Sequence, residues 1–342
     1  MLQEDSNLSK AHDAIHEQGT VYVDESNLEV ELSTKPPSMF ALFWKEIKND
    51  FFAMTGFCLL IIIFLTIYIG SIVIESHMNV MAPDLELSNV SPAGYQRQTV
   101  WGVDGVTLEL VDIGFPTLLG TDSVGRQIAP LMIVSARNSL NIGLAVAGLS
   151  FIIGLIAGIV AGFYGGHVDN VIMRITDTWT MLPSMMVIIA MIAIAEERNL
   201  LLFITFLTMF TWMARTRLVR AAALQQCNLD YIAASKTLGT RNIVIIFREM
   251  LPNIVDVVVA NFVLTVALSI GIETGLTILG FGLGIEYPSL GFMITSALVP
   301  VNLQFFWWVW APALILVIVI MLCINFVGNA LQRVADPRQR LV

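Results

Sequence analysis

The chain has 342 residues, of which 56% are hydrophobic and only 13% charged, and its mean hydropathy is +0.77. This balance excludes a soluble globular domain and points to an integral membrane protein. The net charge of −9 is uneven: residues 1–37 set eight acids against Lys10 and Lys35, which accounts for six of the nine.

Residues 1–37 have little periodicity and read as a disordered acidic tail. Residues 38–52 follow, with Phe40, Phe43, Trp44 and Ile47 at i, i+3, i+4, i+7 and Lys45 and Lys48 beside them. That stripe predicts a helix lying in the membrane interface. A bilayer-crossing helix needs about 20 mostly apolar residues, and six runs qualify, at about 53–75, 138–163, 171–195, 199–218, 255–280 and 306–327. The first begins too far in, and runs too long, for a cleavable signal peptide. Cys58, Cys227 and Cys323 have no metal-ligand spacing and read as structural. The expected architecture is therefore an all-α integral membrane protein with six transmembrane helices. Residues 76–137 are an extracytoplasmic segment, 138–327 a membrane core and 328–342 a cytoplasmic tail.

Orientation follows from Lys and Arg. Arg215, Arg217, Arg220, Lys236, Arg241 and Arg248 cluster between spans four and five, and Arg333, Arg338 and Arg340 lie near the end. Residues 282–304 have neither Lys nor Arg, and 76–118 have only Arg97. Both termini and residues 228–253 are thus expected in the cytoplasm, with Arg126 and Arg137 as exceptions outside.

Residues 228–253, NLDYIAASKTLGTRNIVIIFREMLPN, are polar and helix-forming. Asn228 is a candidate cap with Asp230 in the first turn, and Gly239 suits the position that ends a helix. Thr240 is a candidate cap for a second helix, 241–250, which Pro252 interrupts. The small Ala233, Ala234 and Ser235 leave room for another protein to approach closely. From these residues alone, a docking surface and an ordinary basic loop weigh equally.

The stretch resembles the cytoplasmic EAA loop of ABC-importer permeases. Ala233-Ala234-Ser235 precedes Gly239, and Leu251-Pro252 closes the pattern, although Ala233 stands where the family has Glu and the third position is Ser. LLGTDSVGRQ near 119–127, AGFYGGHVDNVIMRITD (161–177), ETGLTILGFGLG (273–284) and VGNALQRVADPR (327–338) resemble the C-type permease of dipeptide, oligopeptide and nickel importers. The resemblance covers most of residues 116–338, in family order. It implies a coupling helix seated in the groove of an ATPase, with Tyr231, Ala233, Ala234, Ser235, Lys236, Gly239, Arg241 and Pro252 as coupling residues. It also implies a homologous B-type permease as partner, two cytoplasmic ABC ATPases that bind ATP and Mg, and an extracytoplasmic peptide-binding protein. This chain itself would bind no cofactor or metal, perform no catalysis and meet no nucleic acid. Its place is the bacterial cytoplasmic membrane.

Other features are weighed one by one. GTDSVGR mimics a phosphate loop, but Arg126 replaces Lys and no Ser or Thr follows, so it reads as a turn and helix start. Gly154, Gly158 and Gly162 make one flat helix face for close packing, against the partner subunit or against a span of this chain. Arg174 and Asp177, at i, i+3, are expected to pair locally. Pro183 is expected to kink span three, where Met181, Met185, Met186 and Met191 read as packing before pathway. Glu273 lies about 27 Å up its span from Val255, near the outer interface, where structural hydrogen bonding and gating weigh equally. An ion-coupled carrier would show mid-bilayer ionisable groups and an internal repeat. Neither is found, and the family motifs belong to the ATP-driven importer; the acidic tail and the long 76–118 segment resemble its oligopeptide members, with dipeptides or nickel on the same fold as alternatives.

Overall fold

A computed structural model of the protein describes residues 39–77, 80, 88–92, 100–101, 108–109, 119–195 and 198–335. The acidic tail 1–37, most of 78–118 and the last residues, 336–342, lie outside the described residues. Apart from a two-residue antiparallel pair, β1 (Val100–Trp101) with β2 (Leu108–Glu109), the described structure is helical.

Helix α1 (Met39–Asn49) buries Ile47 against Ala53 and Ala330, with Phe43 and Phe57 alongside. Asp50 then starts α2 (Phe51–His77): its carboxylate accepts the N–H groups of Phe52 at 2.9 Å and Ala53 at 3.2 Å. Those are orphan donors of a helix start, so the cap fixes where α2 begins. Little of α2 is buried, 11% of its most apolar window. At its far end, Arg137 donates twice to Glu75, at 2.6 and 2.7 Å, and Tyr68 donates to Asn141 at 2.7 Å.

Helix α3 (Ile128–Tyr164) has 37 residues. It begins ten residues before the expected span, because Ile128 and Leu131 are already buried in a cluster with Ile67, Leu290 and Val309. Gly165 and Gly166, at φ 61° and 53°, turn the chain into α4 (Gly166–Met181). Where a kink was expected at Pro183, the helix breaks: α5 (Ser184–Ile194) is bent 76° from α4. Leu182 takes the extended backbone that a following proline enforces. Helix α6 (Leu200–Cys227) starts on Asn199, whose side chain accepts the N–H of Leu202 at 2.8 Å.

After α6 come α7 (Asp230–Thr237), α8 (Asn242–Ile245), a π-helical turn over Ile246–Met250, and α9 (Leu251–Leu276). A second π-helical turn, Thr277–Phe281, contains Gly280 at φ 87°. Beyond it lie α10 (Leu290–Thr295), α11 (Pro300–Phe305) and α12 (Ala311–Ala335). Among the described residues, four stretches are long and apolar enough to cross a membrane: Phe51–Glu75, Ile128–Tyr164, Asn242–Phe281 and Ala311–Ala335. Counting α4 with α5 as one broken span makes five. Helix α6 is not among them; it carries Arg215, Arg217 and Arg220 in its second half.

Among the described residues, the three largest of five apolar clusters join the long helices. One joins α2, α3, α9, α10 and α12 through residues such as Ile67, Leu131, Ile270, Leu290 and Ile320. A second joins α3, α5, α6 and α9 around Val146, Ile188, Leu207 and Leu276. The third, around Ile159, Val219, Ile232, Ile245 and Met250, seats α7 on α3, α6 and α9.

Candidate functional site

The site is built around α7. Of its eight residues only Ile232 is buried, at 0% exposure, in the cluster with Val219, Ala223, Ile246 and Ile254. One apolar side chain therefore pins the helix from within. Ala233, Ala234 and Thr237 are exposed, Ser235 is half-buried, and Leu238 is 83% exposed.

Tyr231 supplies a polar tether. Its hydroxyl donates to Gln226 of α6 at 2.6 Å and accepts from Asn253 of α9 at 3.2 Å. Asp230 sits in the first turn and Lys236 in the last, as the helix dipole favours. The Lys236 ammonium does more than face solvent: it lies over the Phe163 ring of α3, 4.8 Å from the centroid.

Helix α7 ends in a Schellman motif. Thr240 N–H donates to the Ser235 carbonyl and Gly239 N–H to that of Lys236, both at 3.1 Å. Gly239 takes φ 77°, and a Cβ there would touch nothing within 4 Å. The turn thus needs glycine for its backbone angle alone.

Both expected caps are corrected. Leu229, not Asn228, precedes α7, and Arg241, not Thr240, precedes α8, each without a side-chain cap bond. Asn228 instead ends α6. Nor does Pro252 interrupt the chain. It lies in the first turn of α9, and the π-helical turn before it lets Leu251 N–H reach back five residues to Ile246. A wider turn is how a helix absorbs a proline that cannot donate. From Asn242 to Phe281 the chain is one helical path, 40 residues long. Arg241 and Pro252 are both exposed.

The glycine face lies directly behind the site. A Cβ on Gly154 would lie 2.5 Å from the Arg215 Cβ, and one on Gly158 would lie 2.7 Å from both Thr216 O and Val219 Cβ. On Gly162 it would lie 2.7 Å from the Ala223 Cβ. All three meet α6 of the same chain, and α3 with α6 is the most extensive helix contact in the molecule.

Asp177 does not pair with Arg174. Arg217 of α6 donates to it at 2.9 Å and to Thr180 at 3.0 Å, and Arg220 grips Asp169 with two donors. A guanidinium from the neighbouring helix meets two acceptors at once, more than a local i, i+3 contact offers. These pairs lash α4 to α6, and no spacing in the sequence signalled them.

Glu273 is 1% exposed. Its carboxylate accepts from Ser139 at 3.1 Å, Thr274 at 3.3 Å and Thr277 at 3.0 Å. Ser139 in turn accepts the N–H of Leu290 at 3.1 Å. The acid is thus a hub joining α3, α9 and the start of α10. Met181 and Met186 are 83% and 71% exposed at the α4–α5 break, while Met191 packs in the second cluster.

Comparison with known proteins places the chain in a family. Residues 154–341 match the family described as binding-protein-dependent transport system inner membrane component. The oligopeptide transport system permease protein OppC of Lactococcus lactis subsp. cremoris (strain SK11) is 39% identical over 295 residues, 86% of this chain and 93% of that protein. The dipeptide transport system permease protein DppC of Bacillus subtilis (strain 168) is 30% identical over 99% of this chain and 98% of its own length. The inward-facing structure of the MetNI methionine ABC transporter has a chain of similar fold, with TM-score 0.50 at 18% identity, covering 60% of this chain and 96% of that one. The chain belongs to the family of binding-protein-dependent transport system inner membrane components, as a multi-pass C-type permease of an ABC importer.

Proposed function

We propose that this chain forms half of the pathway of an ATP-driven oligopeptide importer in a bacterial cytoplasmic membrane. The observation that carries the substrate is the 39% identity to an oligopeptide permease over nearly the whole of both chains. Six spans make the membrane part: α2, α3, the broken pair α4–α5, α6, α9 and α12, with α1 along the interface and both termini in the cytoplasm. A homologous B-type permease completes the pathway. Two ABC ATPases bind ATP and Mg on the cytoplasmic side, and a peptide-binding protein docks outside.

In this reading α7 is the coupling element. Its small face, Ala233, Ala234 and Ser235, enters a groove of the ATPase, while Ile232 and Tyr231 connect it to α6 and α9. A push on α7 therefore reaches two membrane helices through one apolar and one hydrogen-bonded contact. Gly239, Lys236, Arg241 and Pro252 set its direction and flanks. Gly154, Gly158 and Gly162 keep α3 tight on α6 behind it, Asp177 holds α4 there, and Glu273 holds the outer end. No step of chemistry falls to this chain.

The test is uptake in cells lacking the chain and then restored with it, using labelled pentapeptide, dipeptide and nickel. Restoration of pentapeptide uptake above the other two is expected. Restoration of dipeptide uptake alone would favour the second reading, which the full-length likeness to DppC supports.

A further inference from the structure

A groove of ≈ 220 Å³ opens between α2, α3, α9 and α12. Leu60 and Phe64 of α2, Leu144 of α3, Val263 of α9 and Ile324 of α12 line it, and its lining is wholly apolar. A buried water needs two to four polar partners, and apolar cavities of about 150 Å³ stay dry and take hydrocarbon. A peptide would leave its backbone N–H and C=O groups unsatisfied there. The chemistry admits a hydrocarbon chain.

One end of this groove leads to positive charge. Phe57 lines it, and the Trp44 ring stands edge-on to Phe57 at 6.1 Å. The Lys48 ammonium lies 5.3 Å from the Trp44 ring centroid. Lys45 and Lys48 are exposed and form no ion pair among the described residues. The acids beside them, Glu46 and Asp50, are both taken by Arg333. Lys45, Lys48 and Arg333 set against Glu46 and Asp50 leave one net positive charge beside Trp44, near the Phe57 end of the hydrocarbon slot. From Phe57 to Phe64 the slot follows α2 for about 10 Å, within one bilayer leaflet of about 15 Å.

We propose that this groove holds an acyl chain of an anionic phospholipid whose headgroup rests on Lys45 and Lys48. Tryptophan at the headgroup level and lysine against an anionic lipid are each favourable on their own. The proposal rests on α1 lying along the membrane surface. It adds to the importer reading a lipid fastened to the corner where α1, α2 and α12 meet.

The test uses the purified full chain, washed extensively in detergent and exchanged into phosphatidylglycerol or phosphatidylcholine. Retained phospholipid is then counted by mass spectrometry. Phosphatidylglycerol should be retained in preference, and Leu60→Trp, which fills the slot from its most outward helix, should abolish retention. Ile63→Phe serves the same purpose should Leu60→Trp assemble poorly. Lys45→Gln and Lys48→Gln should each cut the preference for phosphatidylglycerol about five-fold, from about 1 kcal/mol per surface lysine, while leaving the slot occupied. Equal retention by the protein and both slot-filling variants would overturn the proposal, as would an equal affinity for the two lipids. The position of α1 is read separately, from quenching of Trp44 by brominated lipid against the Trp44→Phe background. Failure there leaves pentapeptide uptake untouched.

Discussion

At Gly239 the penalty for any side chain is conformational, since φ is 77° and nothing lies within 4 Å of where a Cβ would be. A β-branched residue there costs about 1 kcal/mol or more. Gly239→Val should therefore redirect α7 without disturbing any membrane helix. The complex should assemble normally, yet hydrolyse ATP without stimulation by loaded binding protein and lose peptide uptake. Ala234→Arg should do the same through bulk and charge on an exposed position, whereas Lys236→Gln, losing a cation–π contact of about 0.5–1 kcal/mol, should be mild. Full stimulation in both Gly239→Val and Ala234→Arg would make the segment an ordinary loop. Glu273 is the other decisive single residue. Glu273→Leu leaves three hydroxyl groups without their acceptor, at about 1–3 kcal/mol for a buried hydrogen bond broken this way, and should lower the temperature at which the detergent-solubilised protein aggregates. Glu273→Gln, which can still accept, should stay close to the unmodified protein. A Glu273→Gln variant with normal stability but altered substrate-stimulated ATPase would instead mark a gate.

Among elements, the α3–α6 pair is the least forgiving. A Cβ on Gly158 already meets backbone at 2.7 Å, so the contact has no slack for a larger side chain. Gly158→Leu should force the helices apart at a cost of about 1–3 kcal/mol and lower the yield of assembled complex on size-exclusion chromatography. Normal assembly and transport by that variant would refute tight packing as the reason for glycine. The α1–α2 corner behaves differently because it is electrostatic. The backbone N–H of Ala53, together with that of Phe52 and the Arg333 guanidinium, holds the Asp50 carboxyl below its usual 3.8. A carboxylate lowered on folding stabilises the fold above its unfolded pKa and loses that contribution as pH falls through the folded value. Asp50→Asn should therefore weaken the protein at neutral pH, and the difference should vanish under strongly acid conditions. A pH-independent difference in thermal unfolding would argue against the cap.

For the whole molecule, the question is which face each end of the bundle meets. Single cysteines at Asn242, exposed beside α7, and Gln304, exposed at the end of α11, are suited to this test. In a background lacking Cys58, Cys227 and Cys323, an impermeant thiol reagent on intact cells should label Gln304 and not Asn242. The reverse pattern would invert the topology. Helix α7 is fastened to this bundle by Ile232, which enters a cluster shared by α3, α6 and α9.

Composition and pattern by themselves determined that this is a helical membrane protein, because bilayer spanning demands long apolar runs that no tertiary contact can disguise. They also located the glycine that ends α7, since a positive φ is a local requirement, and the three glycines of α3, since close approach needs the absence of a Cβ. What only the tertiary structure decided depends on partners distant in sequence. Asp177 has a local candidate in Arg174 and a remote one in Arg217, and only the crossing of α4 over α6 selects between them. Glu273 looked like an acid near an interface, but Ser139, 134 residues away, donates to it from α3. The break at Pro183 and the continuity through Pro252 differ for the same reason. A proline's missing N–H is a local fact, but whether the helix stops or widens depends on what the neighbouring helices allow around it.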